Sequence, residues 1–464
     1  MNILFLYNST QTYTSTVFEH INCFAEYSRY STFFSHLDRT TPLNVDLSRF
    51  DVVAIHYSVR LPFDQISESV AQNLERYGGL KVLFIQDEYD HTFRAWHWIN
   101  RLGIRLVFTA VPDDSIAKIY PAEKLPGVRF VNNLTGYVPE NLKVDANVIP
   151  ASQREIIFGY RGRPLPIRYG ALGVEKFAVG KIVKEFCESR GIRSDIAWSE
   201  SERIYGPKWY EFLSSCRAIL GSESGSNVFD WDNSLPSKIE SFKKANTSAT
   251  DEDVYRKIVE PVEISGLMNQ ISPRVFETIA AGAALVLFEG NYSGLLKPWK
   301  HFLPLKKNGS NLDEILRYLQ DRAYVDELTQ MAVQDIILPG KYSYRSYVSM
   351  VDGSLDLALE ANKSDIISAH RTSPEATELS IAGGADTTYY SEVLPPTSIT
   401  TKPILFKLPT SNVLFSVAPG PINPRSLLMV VRSIVIRALL PIWGALPLGL
   451  RRFLKPRLQK LRYR

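Results

Sequence analysis

Short, unbroken apolar runs alternate with stretches of helical periodicity along most of the chain. Residues 3–7, 51–57, 81–86 and 105–109 are dominated by aliphatic and aromatic side chains without strict alternation, the pattern of parallel strands buried on both faces. Between them, residues 16–27 and 66–77 repeat apolar positions at the spacing of an amphipathic helix. The alternation resumes after residues 148–153, which read as an interdomain linker, with strands expected at 155–160, 195–198, 218–221 and 284–288 and helices at 174–190 and 208–215. Two such series predict an α/β fold of two doubly wound, Rossmann-like domains facing a cleft. Ligands of these sheets bind beyond the carboxyl ends of the strands, so the cleft is the expected site.

The expected domains are residues 1–150, presenting the acceptor, and 151–360, holding the donor. An insertion between Gly221 and Ser272 interrupts the second domain, and inside it Thr250 followed by Asp251, Glu252 and Asp253 has the form of a capped helix start. Residues 342–360 read as an amphipathic helix. Residues 361–424, rich in Ser, Thr, Pro and Gly, read as a flexible linker, and 425–464 as a basic apolar tail.

A chain of 464 residues with 45% hydrophobic and 22% charged residues is too long for one ordinary core and too apolar for disorder. Cys23, Cys187 and Cys216 are too few and too scattered for a zinc site or a disulfide framework, and read as buried thiols in a reducing compartment. Nothing at the amino end has the form of a secretory signal, so a cytoplasmic location is expected. The net charge of +4 conceals an asymmetry. The residues after Glu392 hold twelve basic side chains and no acidic one, so the rest of the chain is in deficit.

The segment richest in chemistry is Ser272-Pro273-Arg274-Val275-Phe276-Glu277-Thr278-Ile279-Ala280-Ala281-Gly282. Ser272 suits an N-cap, Pro273 the first turn and Gly282 the end, giving a short helix whose N-terminus is open to a phosphate. Arg274 adds a planar donor, and Glu277 one turn on can accept the two hydroxyls of a ribose. A solvated or ion-paired helix carboxylate is the plainer alternative for Glu277. The run from Arg274 to Gly282 resembles the donor-site helix of GT-B glycosyltransferases, most closely their CgeB-like branch, among the glycosyl transferases group 1. That resemblance implies a nucleotide-sugar donor, a ribose-binding role for Glu277, and no separate cofactor. A second match, Phe158-Gly159-Tyr160-Arg161-Gly162-Arg163 followed by Lys176, implies that Arg163 and Lys176 hold the donor diphosphate. One departure stands out. Retaining members carry a glutamate eight positions before Glu277, where this chain has Asn269, and the loop from Gly221 to Asn227 could bring Glu223 to the donor sugar instead.

In the first domain, Gln86-Asp87-Glu88-Tyr89-Asp90-His91 follows a buried strand at its cleft end, and Asp87, Glu88, Asp90 or His91 could serve as a general base. His56 faces the same cleft if the strand register holds. Asp230-Trp231-Asp232 matches a short metal-binding pattern of another glycosyltransferase fold, but cations and a helix N-terminus are expected to replace metal here. Residues 426–450 are apolar but contain Arg432 and Arg437 and are broken by Pro441 and Pro447, so they suit a membrane surface better than a span. The cluster from Arg451 to Arg464 would meet anionic lipid. The expectation is thus a peripheral membrane glycosyltransferase of polysaccharide biosynthesis, with a glycan or lipid-linked acceptor and no nucleic-acid partner. A nucleotide-sugar epimerase and an inactive membrane-tethered nucleotide-sugar-binding protein are the alternatives.

Overall fold

The computed structural model describes residues 1–10, 15–139, 149–371, 404–407 and 414–417. The first sheet is built from β1 (Asn2–Tyr7), β2 (Ser31–His36), β3 (Val52–Ile55), β4 (Leu80–Ile85), β5 (Leu106–Thr109) and β6 (Arg129–Asn132), linked by α1 (Ser15–Tyr27), α2 (Glu68–Arg76), α3 (Thr92–Leu102) and α4 (Asp113–Ile119). The second contains β7 (Ile156–Arg161), β8 (Ser194–Ala197), β9 (Cys216–Gly221), β10 (Ala284–Phe288) and β11 (Leu303–Leu305). Its helices begin with α5 (Gly170–Arg190), α6 (Pro207–Ser215), α7 (Leu235–Ala245) and α8 (Asp251–Val254). They continue with α9 (Pro273–Ala280), α10 (Leu312–Gln320), α11 (Arg322–Ala332) and α12 (Tyr344–Arg371).

The second sheet runs β11-β10-β9-β7-β8, and the first runs β2-β1-β3-β4-β5-β6 with two late strands, β12 (Ile404–Lys407) and β13 (Leu414–Val417), beyond β2. The linked pairs within the first six strands and within the second sheet are parallel. Both have the doubly wound order in which the chain reverses direction between its first and third strands, which opens a crevice at their carboxyl ends. The expected fold class is therefore the observed one. β3, β5 and β10 are buried at every position and β4 at all but Lys81, as their apolar runs require.

Three strands have weaker signals. β2 mixes serines with phenylalanines, β6 is a partly exposed edge strand, and β11 is three residues long with a proline at its centre. Helix starts follow their chemistry. Ser67 accepts from the backbone of Val70, and Thr250 forms a full capping box with Asp253.

Two segments of the second half return to the first. α12 lays Tyr344, Tyr347, Val348, Val351 and Leu355 into the same core as Phe5, Phe24 and Phe84, and Asp352 accepts from Ser28 Oγ (2.9 Å) and the Arg29 amide (3.0 Å). The expected helix at 342–360 thus lies on the first sheet and extends to Arg371. The insertion at 222–271 forms a strap. Phe229, Leu267 and Met268 belong to the core on the opposite face of the first sheet, each such burial contributing roughly 1.5–3 kcal/mol. Backbone bonds fix its position: Asp230 N to Tyr89 O (2.8 Å), His91 N to Asp230 O (3.1 Å) and Phe93 N to Trp231 O (2.9 Å). The tail expected at 425–464 lies outside the described residues, as does most of the expected linker.

Candidate functional site

Between the carboxyl ends of the two sheets lies a cavity of about 670 Å³. From the second half it takes the β7 end (Tyr160 to Arg163), Lys176 of α5, Trp209 of α6, and the start of α9 with Ser272, Pro273, Arg274 and Glu277; from the first it takes Thr16, Arg60, Asp87, Tyr89 and Asp90. Five arginines and a lysine line it, a strongly anion-attracting concavity.

Ser272 occupies the N-cap position of α9 with extended backbone but makes no side-chain cap bond. Arg274 lies over the rings of Tyr160 (5.6 Å) and Trp209 (5.2 Å), which orient the guanidinium. The Glu277 carboxylate accepts from Trp209 Nε1 at 2.7 Å, and burial raises its pKa. Burial also pushes the Lys176 ammonium down to about 8, against the pull of Asp87 and with Arg274 and Arg163 adding to the fall. Arg163 is exposed in the cavity wall. By contrast Arg161 is tied to Asp195 (2.7 Å). The donor-binding candidates Arg163, Lys176, Ser272, Arg274 and Glu277 are therefore brought together in one wall.

Glu223 is not among them. It is 5% exposed, and its carboxylate accepts from Asn269 Nδ2 (2.6 Å) and the amides of Asn291 (3.2 Å) and Tyr292 (2.7 Å). The loop around it still reaches the cavity through Ser222, Ser224 and Gly225.

Of the five candidates for a base, the structure brings Asp87 to the cavity with an exposed carboxylate. Asp87 has a left-handed backbone (φ 58°) and accepts from Tyr89 Oη (2.6 Å), a conformation uncommon outside glycine and found preferentially at functional positions. Glu88 points the other way, fully buried, accepting from Thr109 Oγ1 (2.5 Å) and the Ala110 amide (3.0 Å). Asp90 borders the cavity but is engaged by Arg168 and by Tyr169 Oη (3.3 Å). His91 precedes α3 as its N-cap residue, with its ring against Phe63, and does not line the cavity. His56 is completely buried and stands 2.9 Å from His20 Nδ1, and His20 Nε2 is 2.9 Å from Tyr347 Oη. Burial keeps both imidazoles well below their ordinary pKa, so this chain joins β3, α1 and α12 rather than facing the cleft. Asp230 and Asp232 also serve locally: Asp230 accepts from Leu235 N (3.2 Å) and Asp232 from Ser234 N (3.0 Å).

Four side chains that matter were not singled out in the sequence. Arg60 and Trp209 line the large cavity, and Tyr57 and Gln86 line a smaller one beside it. Tyr57 and Gln86 flank positions that drew attention, His56 and Asp87, and their strand-end location was the available signal.

No family model and no curated protein matches the chain. Among solved structures, it is similar to an α-glucosyltransferase in complex with UDP and a 13-mer DNA (11% identity, 77% of this chain and 99% of that one, TM-score 0.44). It is likewise similar to an E. coli trehalose-6-phosphate protein bound with UDP-2-fluoro glucose (10%, 76% and 99%, 0.42) and to HepE of Anabaena in complex with UDP (10%, 76% and 100%, 0.41). Likenesses this distant carry no weight for function, which rests on the site's own residues.

Proposed function

We infer that the chain is a glycosyltransferase that moves a sugar from a nucleotide-sugar donor to an acceptor hydroxyl. The observation that carries this reading is the opposition, across one cavity, of Arg163, Lys176, Arg274 and the open end of α9 on one side to the Asp87 carboxylate on the other. A diphosphate leaving group gains charge as its bond to the sugar breaks, and fixed cations with helix amides stabilise that charge without reorganising. Glu277, steadied by Trp209, would accept the ribose hydroxyls, and Ile204 and Tyr205 at the rim offer a surface for the base.

On this reading, the acceptor hydroxyl oxygen bonds to the anomeric carbon. The bond from that carbon to the diphosphate oxygen breaks, the nucleoside diphosphate leaves with the electron pair, and the hydroxyl proton passes to Asp87. The apolar and basic sequence of residues 425–464 supports attachment to an anionic membrane surface, on the cytoplasmic side.

Incubation with a panel of nucleotide sugars is expected to give slow release of free nucleotide, reduced on the order of 100-fold in Glu277→Ala, as loss of two charge-assisted hydrogen bonds implies. Conversion of the sugar nucleotide without nucleotide release would instead identify an epimerase.

A further inference from the structure

Beside the large cavity lies a second one of about 270 Å³, and the two share Thr16, Asp87, Tyr89, Lys176, Ser224, Gly225 and Pro273 as a common border. Beyond that border the small cavity is lined by Val17, Tyr57, Gln86, Ala110, Thr135, Met268 and Gln270. Its charge is unlike its neighbour's. Among the described residues no arginine lines it, and its charged groups are one lysine and one carboxylate, both on the border.

Several polar groups of this cavity are already satisfied. Thr135 Oγ1 donates to Ile271 O (2.6 Å), and Gln270 donates to Ala110 O while accepting from Ser293 Oγ (3.3 Å). Gln86 Nε2 is different: it is buried and has no hydrogen-bond partner, an arrangement that costs about 1–3 kcal/mol unless a ligand or water answers it. Among the described residues, the Tyr57 hydroxyl and the Lys176 ammonium also make no hydrogen bond to protein. Gln86 and Tyr57 thus bring donors without a protein partner to the wall of a space smaller than ordinary ligand pockets of ~300–1,000 Å³. The carboxylate of Asp87, in its left-handed backbone, stands where that space opens onto the cation-lined cavity.

We propose that the small cavity is the acceptor subsite and takes one uncharged polyhydroxyl ring, held by Gln86 and Tyr57 with a hydroxyl directed at Asp87. This rests on the transferase reading. The division of charge carries it: an anionic acceptor would find its countercharges in the large cavity, where the donor diphosphate needs them, whereas a neutral ring uses donors and acceptors of the kind the small cavity offers. The size admits the terminal ring of a glycan or a free monosaccharide, and excludes a longer segment from lying within it.

Two measurements on the full chain test this. In the first, saturation-transfer NMR reads binding of glucose and myo-inositol with UDP present, without need of turnover. A signal on the wild-type protein that is lost in Gln86→Leu and weakened in Tyr57→Phe, with UDP binding unchanged, is expected; absence of signal from these and from N-acetylglucosamine on the wild type would overturn the proposal. In the second, nucleotide release from the active donor is followed with neutral rings or with glucose 6-phosphate and glycerol 3-phosphate. Neutral rings should accelerate release about ten-fold, and the two variants should raise the acceptor KM about ten-fold while donor hydrolysis without acceptor stays within two-fold. Acceleration confined to the phosphorylated acceptors would refute the subsite, as would variants that depress hydrolysis and transfer alike. A methyl glycoside accelerating as well as the free sugar identifies a glycan end as a competent acceptor. If no nucleotide sugar is hydrolysed while ring binding still depends on Gln86, the transferase reading fails and the ring site stands.

Discussion

Glu88 shows how one carboxylate can be close to the chemistry in sequence and remote from it in space. Its side chain enters the first core, where burial pushes its pKa up to about 7 despite two hydrogen bonds to one oxygen, and its second oxygen has no partner. The native protein therefore holds a proton there that the unfolded chain, titrating near 4.5, releases. Stability from this residue is undiminished at low pH, falls as pH rises between about 4.5 and 7, and is fully reduced above that. Glu88→Gln keeps the accepting oxygen and cannot ionise, so its melting temperature is expected to exceed that of the wild type by several degrees at pH 8 and to match it within about a degree at pH 4.5. The gap corresponds to roughly 2–3 kcal/mol. Equal shifts at both pH values would show that Glu88 is not the group being titrated. Neighbouring positions explain what could not be read from the sequence here. Past the end of β4 the backbone turns left-handed at Asp87, and that turn, which no glycine marks in the sequence, decides that Asp87 meets the cleft while Glu88 meets the core. At the end of β3, likewise, His56 goes inward and Tyr57 reaches the small cavity.

At the scale of elements, the grouping of Arg163, Lys176, Arg274 and Glu277 in one wall was largely legible because its determinants are local. Ser272, Pro273 and Gly282 set the bounds of α9 through their own backbone preferences, and the end of β7 places Arg163 with little help from distant residues. The strap was not legible in this way, since its attachment depends on pairing with a loop more than 100 residues earlier. Gly225 marks the tightest point: a Cβ there would lie 2.0 Å from the Met268 carbonyl oxygen, and its φ of +93° already disfavours other residues. Phe229 supplies the strap's large apolar anchor in the first core. Phe229→Ala is expected to cost about 3–5 kcal/mol, to expose residues 222–271 to limited proteolysis before the rest of the chain, and to lower turnover along with stability. If the strap stays protease-resistant while global stability falls, its anchorage lies elsewhere.

For the whole molecule, the sequence shows two domains in succession, whereas the folded chain places α12 on the first sheet. Amphipathic periodicity marks such a helix but not which sheet receives it, because both sheets present similar apolar faces. Two truncations separate the roles of the later segments. Ending the chain after Pro424 is expected to leave thermal stability and donor turnover unchanged within two-fold and to move the protein from membranes to the soluble fraction; persistence on membranes would refute the tail's proposed role. Ending it after Ser343 removes Tyr347, the partner of the buried His20, together with an apolar face of the first core, and is expected to give insoluble or protease-sensitive protein. A soluble, active product would show that the helix is dispensable.

The return of α12 also bears on how such a chain could be recombined. A hybrid joined at the linker near residue 150 would combine one parent's first sheet with the other parent's closing helix, pairing Tyr344, Tyr347 and Val351 with a surface that never evolved against them. Exchange of the second sheet between relatives is therefore best made with two junctions, so that residues 149–343 travel as a cassette and α12 stays with its own parent, with Phe229, Leu267 and Met268 of the strap kept as in the parent that supplies the first sheet.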